Sequence, residues 1–286
     1  MEMFLQFFLN GIVTGSVYTV VALGLTLTFS IMHIVNFAHG ELYMFGGYIC
    51  WVFMAYITKN YWLGLLASMI FVFVMGLVIE RLSFRPLYDK PHINMFIVSL
   101  GLVIFLQELA TLIWTGFAKR IDTGYKAVRT LGGVFITDER LIVIGVAALL
   151  IVAALLFFRY AKTGKAMRAA AQNRTGAAMV GINLNRVSAL AFATGSALGA
   201  AAGSLLGPLF MVTPLMGGMT VMKAFVVIIL GGMGSIGGAI VGGYALGIAE
   251  SLFAGYAWSE WQPAVGFVVL ILVLSLRPQG LFGRAG

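Results

Sequence analysis

Charge is what this chain has least of: 10% of its 286 residues are Asp, Glu, Lys or Arg, while 61% are hydrophobic. A water-soluble domain covers itself with polar and charged side chains, so a soluble fold is excluded. The one cysteine, Cys50, cannot form a disulfide within the chain. Histidine is nearly as scarce. His33, His39 and His92 fall in different segments, and no neighbouring Cys, Asp or Glu cluster completes a metal site around any of them. A nucleophile elbow, an HExxH helix and a carboxylate pair with an oriented base are all missing, which leaves no catalytic residue to name. A phosphate-binding loop is missing as well: the Gly164-Lys165 pair is followed by Ala166 and lacks the upstream glycine. The chain is therefore expected to hold no metal or cofactor, and any ATP and Mg it depends on must be handled by another subunit.

What is present is long apolar sequence. Eight stretches read as spanning helices against the about 20 residues that a ~30 Å hydrocarbon core requires. They run over roughly 5–30, 38–58, 61–81, 94–116, 141–158, 187–208, 236–255 and 263–277. The runs are continuously apolar rather than alternating, which favours helices over a barrel. The expected fold is all-α: a polytopic helical membrane protein, one transmembrane domain over 1–286. Between the sixth and seventh runs, 220–232 is apolar but short, and it leads into the turn-forming GGMGSIGG of 231–238. This reads as a half-helix or re-entrant segment, with Gly231 and Gly232 as irregular backbone beside a pathway. The first run, in MEMFLQFFLNG, has no basic flank and no small-residue cleavage site, so it is expected to be retained.

The net charge of +8 reads as membrane topology rather than as affinity for nucleic acid. Arg81, Arg85 and Lys90 follow the third run, Arg277 and Arg284 follow the last, and six basic residues with no acidic one occupy 159–186. Placing these three segments in the cytoplasm collects eleven of the eighteen Lys and Arg there and puts the N-terminus outside. The 117–140 loop, with Lys119, Arg120, Lys126, Arg129 and Arg140, then lies outside and runs against the rule. A small hairpin is expected there around Leu131-Gly132-Gly133-Val134.

Three further patterns bear on function. Gly195, Gly199, Gly203 and Gly207 recur at every fourth position, which gathers them on one helix face and allows close helix packing. Asn36-Phe37-Ala38-His39-Gly40-Glu41 stands at the start of the second run. Asn36 is expected to cap that helix and His39 and Glu41 to hydrogen-bond near the interface, although polar groups at membrane depth also suit a substrate pathway. Gln107, Glu108, Lys223 and Glu250 lie inside apolar runs, where a charge costs about 3 kcal/mol. Lys223 is expected to snorkel outward, and Glu108 and Glu250 to pair in the interior.

In order and separation, several of these residues resemble a known family. They are Asn36-Phe37-Ala38-His39-Gly40-Glu41, Glu80-Arg81 with Arg85-Pro86-Leu87, Thr163-Gly164-Lys165-Ala166-Met167-Arg168-Ala169, Gly181-Ile182-Asn183, Leu230-Gly231-Gly232-Met233-Gly234-Ser235-Ile236 and Leu276-Arg277-Pro278-Gln279-Gly280-Leu281. The similarity is to the permease subunits of branched-chain amino-acid ABC importers of the Liv type, over nearly the whole chain. The resemblance implies import by alternating access across a bacterial inner membrane. It implies a second permease subunit, identical or homologous, two cytoplasmic ATPase subunits that hydrolyse ATP, and a periplasmic binding protein. Family members carry branched-chain and other amino acids, and also urea, short amides or aromatic acids. A self-sufficient secondary transporter or channel is the competing class.

The resemblance also implies a short coupling helix, from about Gly164 to Gly181, docking on an ATPase. Gly164, Lys165, Arg168, Ala169, Ala170, Asn173 and Gly181 are its matching residues. Where the family usually carries an acidic residue after the alanine run, this chain has Asn173. Asn36, His39, Glu41, Gln107, Lys223, Gly231 and Gly232 are the candidates for the substrate pathway.

Overall fold

The computed structural model describes residues 2–131, 133–257, 259–277 and 279–282. Gly132, Pro278 and Arg284, named above, lie outside the described residues. The described chain is helical almost throughout: α1 (Glu2–Met32), α2 (His39–Val52), α3 (Tyr61–Ile79), α4 (His92–Trp114), α5 (Asp138–Tyr160), α6 (Lys162–Gln172), α7 (Arg174–Met179), α8 (Leu184–Leu206), α9 (Met216–Gly231), α10 (Ile236–Tyr256) and α11 (Gln262–Leu276). Short polar side chains set several helix starts. Asn60, Thr137, Asn183 and Ser235 each accept a backbone N–H from the first turn of the helix that follows.

Seven of these helices are long and apolar enough to cross a membrane, and the protein is a polytopic helical membrane protein. The expected second span is not among the seven. α2 runs on through a π turn at Phe53–Ile57, but its first half is polar and glycine-rich, and His39 through Tyr48 are all buried. A helix wrapped in other helices need not be apolar. The short segment also begins earlier than expected, at Met216. At 16 residues α9 is about 24 Å long, still less than a ~30 Å core.

The bundle has two distinct ends. At one, the start of α1 meets a small hairpin, in which β1 (Val128–Leu131) pairs antiparallel with β2 (Val134–Thr137). Gln6 Nε2 donates to the Phe135 carbonyl at 3.0 Å, and Phe7 touches Tyr256 at the end of α10. At the other end, Arg174 Nη1 donates to the Ile31 carbonyl at 3.3 Å, and the Leu281 and Phe282 amides donate to the last carbonyls of α9. The basic 159–186 segment and the described C-terminal residues therefore share one end, and the N-terminus and the 117–140 segment share the other.

Small residues bring the inner helices together. α1 and α10 meet through Gly11, Gly15, Gly243 and Gly247, and a Cβ built on Gly11 would lie 2.6 Å from the Ile248 Cα. Only glycine tolerates such an approach.

Candidate functional site

At the basic end, α5 turns sharply at Ala161 into α6, whose two faces differ. Gly164, Met167 and Ala170 are buried against the bundle, with Gly164 pressed on the Phe157 and Phe158 backbone. Lys162, Lys165, Arg168 and Gln172 are exposed, and Ala169 is half-buried. The element is two helices rather than the one expected, because the chain is extended at Asn173 (φ −153°). Asn173 Oδ1 accepts the Gly176 amide at 2.8 Å and so starts α7. Asn and Asp cap equally well, so an asparagine does the structural work of the acidic residue usual there.

α7 ends at Gly181, which takes φ +85°. The Gly181 amide donates to the Ala178 carbonyl and the Ile182 amide to the Ala177 carbonyl, both at 3.0 Å, a glycine-terminated helix stop. This turn holds Met179 and Val180 out at 84% and 77% exposure. Ala170, expected at the centre of the docking surface, is 1% exposed and faces its own bundle. The surface offered outward is thus a basic α6 face with an apolar tip, which helical spacing alone did not distinguish from the buried face.

Inside the bundle, the segment 33–38 turns back on α1. α1 ends at Met32, yet His39 Nε2 lies 3.2 Å from the Val21 carbonyl, eleven residues back along α1, about 16 Å of helix rise. The nitrogen facing that carbonyl is the one that carries hydrogen. His33 makes the turn at φ 54°, and Ile34, Asn36 and Ala38 are buried. The irregular interior backbone is therefore here, where it was not expected. The 232–235 turn instead sits at the end of the bundle beside Ser30 and Leu281. Gly231 packs against the Gly238 backbone, and Gly232 takes φ 95° to end α9.

Asn36 does not cap α2. Its Oδ1 accepts the Ala38 amide at 3.1 Å in a tight turn, and Ala38 itself is the cap. Glu41 Oε1 accepts from Gln107 Nε2 at 3.0 Å. Glu41 Oε2 and Asn36 Nδ2 are both buried with no hydrogen-bond partner among the described residues. The first turns of α2 and α9 press together at Gly40 and Gly217. Buried His39 thus faces α1 and α8, buried Glu41 pairs with half-buried Gln107 on α4, and buried Asn36 closes its own turn, all within the bundle rather than near the interface. Gly231, Gly232 and Lys223 make none of these contacts.

Gly195, Gly199 and Gly203 of α8 face α1 and α2, and Gly207, just past its end, faces the 117–140 segment. Gly195 faces the Gly24 carbonyl, Gly199 the His39 ring, Gly203 the Tyr43 carbonyl, and Gly207 the Ile121 side chain. Lys223 does not snorkel. Its ammonium forms an ion pair with Glu250 on α10 and donates to the Pro263 carbonyl at 2.9 Å. The Tyr18 hydroxyl donates to Glu250 Oε2 at 2.9 Å. Glu250 is paired in the interior as expected, whereas Glu108 is exposed on the outer face of α4. Sequence spacing could not pair residues 27 positions apart on separate helices.

A model of the family described as branched-chain amino acid transport system / permease component matches residues 7–274. The chain belongs to this family. Among its relatives in the family, the high-affinity branched-chain amino acid transport system permease protein LivH of Salmonella typhimurium is 36% identical over 295 residues, covering 98% of this chain and 96% of LivH. The permease protein BraD of Pseudomonas aeruginosa, from a transport system described in the same words, is 35% identical over 298 residues with the same coverage. A probable LivH of Methanocaldococcus jannaschii is 25% identical over 293 residues, covering 96% and 91%. No solved structure matches the chain. Membership makes this a permease component of a transport system, a membrane protein rather than an enzyme.

Proposed function

We propose that the chain is the membrane-spanning subunit of an ATP-driven importer for branched-chain or related amino acids, seated in a bacterial inner membrane. In this reading it pairs with a second permease, receives substrate from a periplasmic binding protein and is driven by two cytoplasmic ATPase subunits that hold the ATP and Mg. The observation that carries the reading is the α6–α7 element. An outward basic face and an apolar tip at Met179 and Val180 have no use within the bundle, and they fit a cleft on a soluble partner. In this reading the basic end faces the cytoplasm, in accord with the charge rule.

In this reading import works by alternating access. Two arrangements of the bundle are needed, one open to each side, and ATP binding in the partner biases them through its differential affinity for the two. Force delivered at α6 passes to α5 and α8, on which α6 packs. In vesicles, uptake of leucine should require internal ATP, the ATPase subunits and the binding protein together. Uptake driven by an ion gradient with this chain alone would overturn the reading.

A further inference from the structure

We infer that the cleft walled by Lys223 and Glu250 is an amino-acid site within the permease itself, built to hold both charges of a zwitterion. The inference rests on the reading of the chain as an amino-acid permease and specifies what that permease recognises. The site stands on three features. The first is the buried pair, at 5% and 1% side-chain exposure. Each end also has a partner of its own: the Pro263 carbonyl accepts from the ammonium and the Tyr18 hydroxyl donates to the carboxylate. A charge inside a span is costly and is a mark of a functional site.

The second feature is the space beside the pair. A cavity of about 320 Å³ is lined by the polar Lys223, Glu250 and Tyr18 and by the apolar Leu206, Phe210 and Met219. A small α-amino acid fits with its carboxylate on Lys223, its ammonium on Glu250 and its aliphatic side chain on the apolar wall. The exchange replaces one ion pair with two and leaves no charge unpaired.

The third feature is a way in. A second cavity, also about 320 Å³, shares Thr14, Phe210 and Gln262 with the first and reaches Asn10 and Arg140. Arg140 Nη1 donates to Asn10 Oδ1 at 2.5 Å, and among the described residues no carboxylate lies within ion-pair distance of it. Asn10, Thr14 and Tyr18 follow one another at four-residue steps on one face of α1, about 12 Å from first to last. Arg140 thus offers a carboxylate a first contact at the end opposite α6, and the α1 face leads from there to the pair.

This arrangement selects against uncharged amides and against acids without an amine, since each leaves one member of the pair unmatched. The test uses the purified full chain and the double variant Lys223→Met/Glu250→Leu. Replacing a buried pair with apolar side chains of similar size is commonly tolerated, so this variant should fold. Leucine at about 50 mM, well above the ~1 mM Kd of a site that must release its cargo, should raise the melting temperature of the native chain by a few degrees. Isovaleramide and isovalerate at the same concentration should not, and the double variant should lose the leucine shift. Equal shifts with all three compounds, or a leucine shift kept in the double variant, would overturn the site. The measurement needs neither ATP nor partner subunits, so its failure is distinct from failure of the importer reading. In the assembled importer, the double variant should lose at least about 100-fold in leucine uptake if the pair is an obligatory station, a loss of about 2.7 kcal/mol. Uptake within twofold of the native complex would also overturn it.

Discussion

α8 and α4 are both 23 residues long, yet the more apolar of the two is the one left outside. The most hydrophobic stretch of α4 has mean hydropathy 2.2 and is 17% buried, while that of α8 has 1.5 and is 72% buried. In water the opposite order would be expected. In a bilayer the tails are as apolar as any side chain, so hydropathy gives no reason to go inside, and close packing of small residues decides. α8 brings Gly195, Gly199, Gly203 and a run of alanines to its neighbours, whereas α4 presents Ile97, Leu100, Ile104 and Phe105 outward.

The sharpest way to break this comparison is to place the same side chain on each helix. A Cβ on Gly203 would run into the Tyr43 carbonyl, but one on Gly101 would meet nothing within 4 Å. Gly203→Leu should cost about 3 kcal/mol or more through overpacking and strongly reduce the yield of folded protein by size-exclusion chromatography in detergent. Gly101→Leu should leave yield and melting temperature unchanged. Comparable losses in both would show that glycine spacing does not set which helix is inside.

The contrast between covered and uncovered faces extends to the basic end and gives a smaller effect. Met179→Asp with Val180→Asp alters only the exposed tip, so the permease should keep its melting temperature while co-purification with an ATPase subunit falls by at least about tenfold. Ala170→Glu places a carboxylate on the buried face of α6 and should lower the melting temperature first. Stable Ala170→Glu protein that no longer binds the ATPase would reverse the assignment of the two faces. The smallest effect belongs to Asn173. Asn173→Ala should cost about 1 kcal/mol of local stability through loss of the α7 cap, seen as faster amide exchange at Gly176, and Asn173→Asp should cost almost nothing.

The sequence made the class of the protein legible, and much of its glycine contact surface, because both depend on short-range pattern. Continuous apolar runs define spans, and Gly195 through Gly207 reveal a face by spacing alone. What it left hidden depends on long-range partners. Lys223 looked free to snorkel because Glu250 belongs to another helix. α2 looked like an ordinary apolar run because nothing local tells of the shelter it takes. Ala170 looked available because an alanine-rich helix has no charge pattern on its inner side to mark which face is covered.

That shelter has a consequence for how the chain is made. α2 carries Glu41 and His39, and Gly46 rests directly on the Ala200 backbone of α8. The ribosome delivers α2 long before it delivers α8. Until then α2 has neither the hydropathy to settle in lipid nor all of the cover that would excuse its polarity. Insertion of this protein is therefore not a sequence of independent hairpins. Its second helix finds part of its shelter on α3 and α4 and the rest only when the eighth helix arrives.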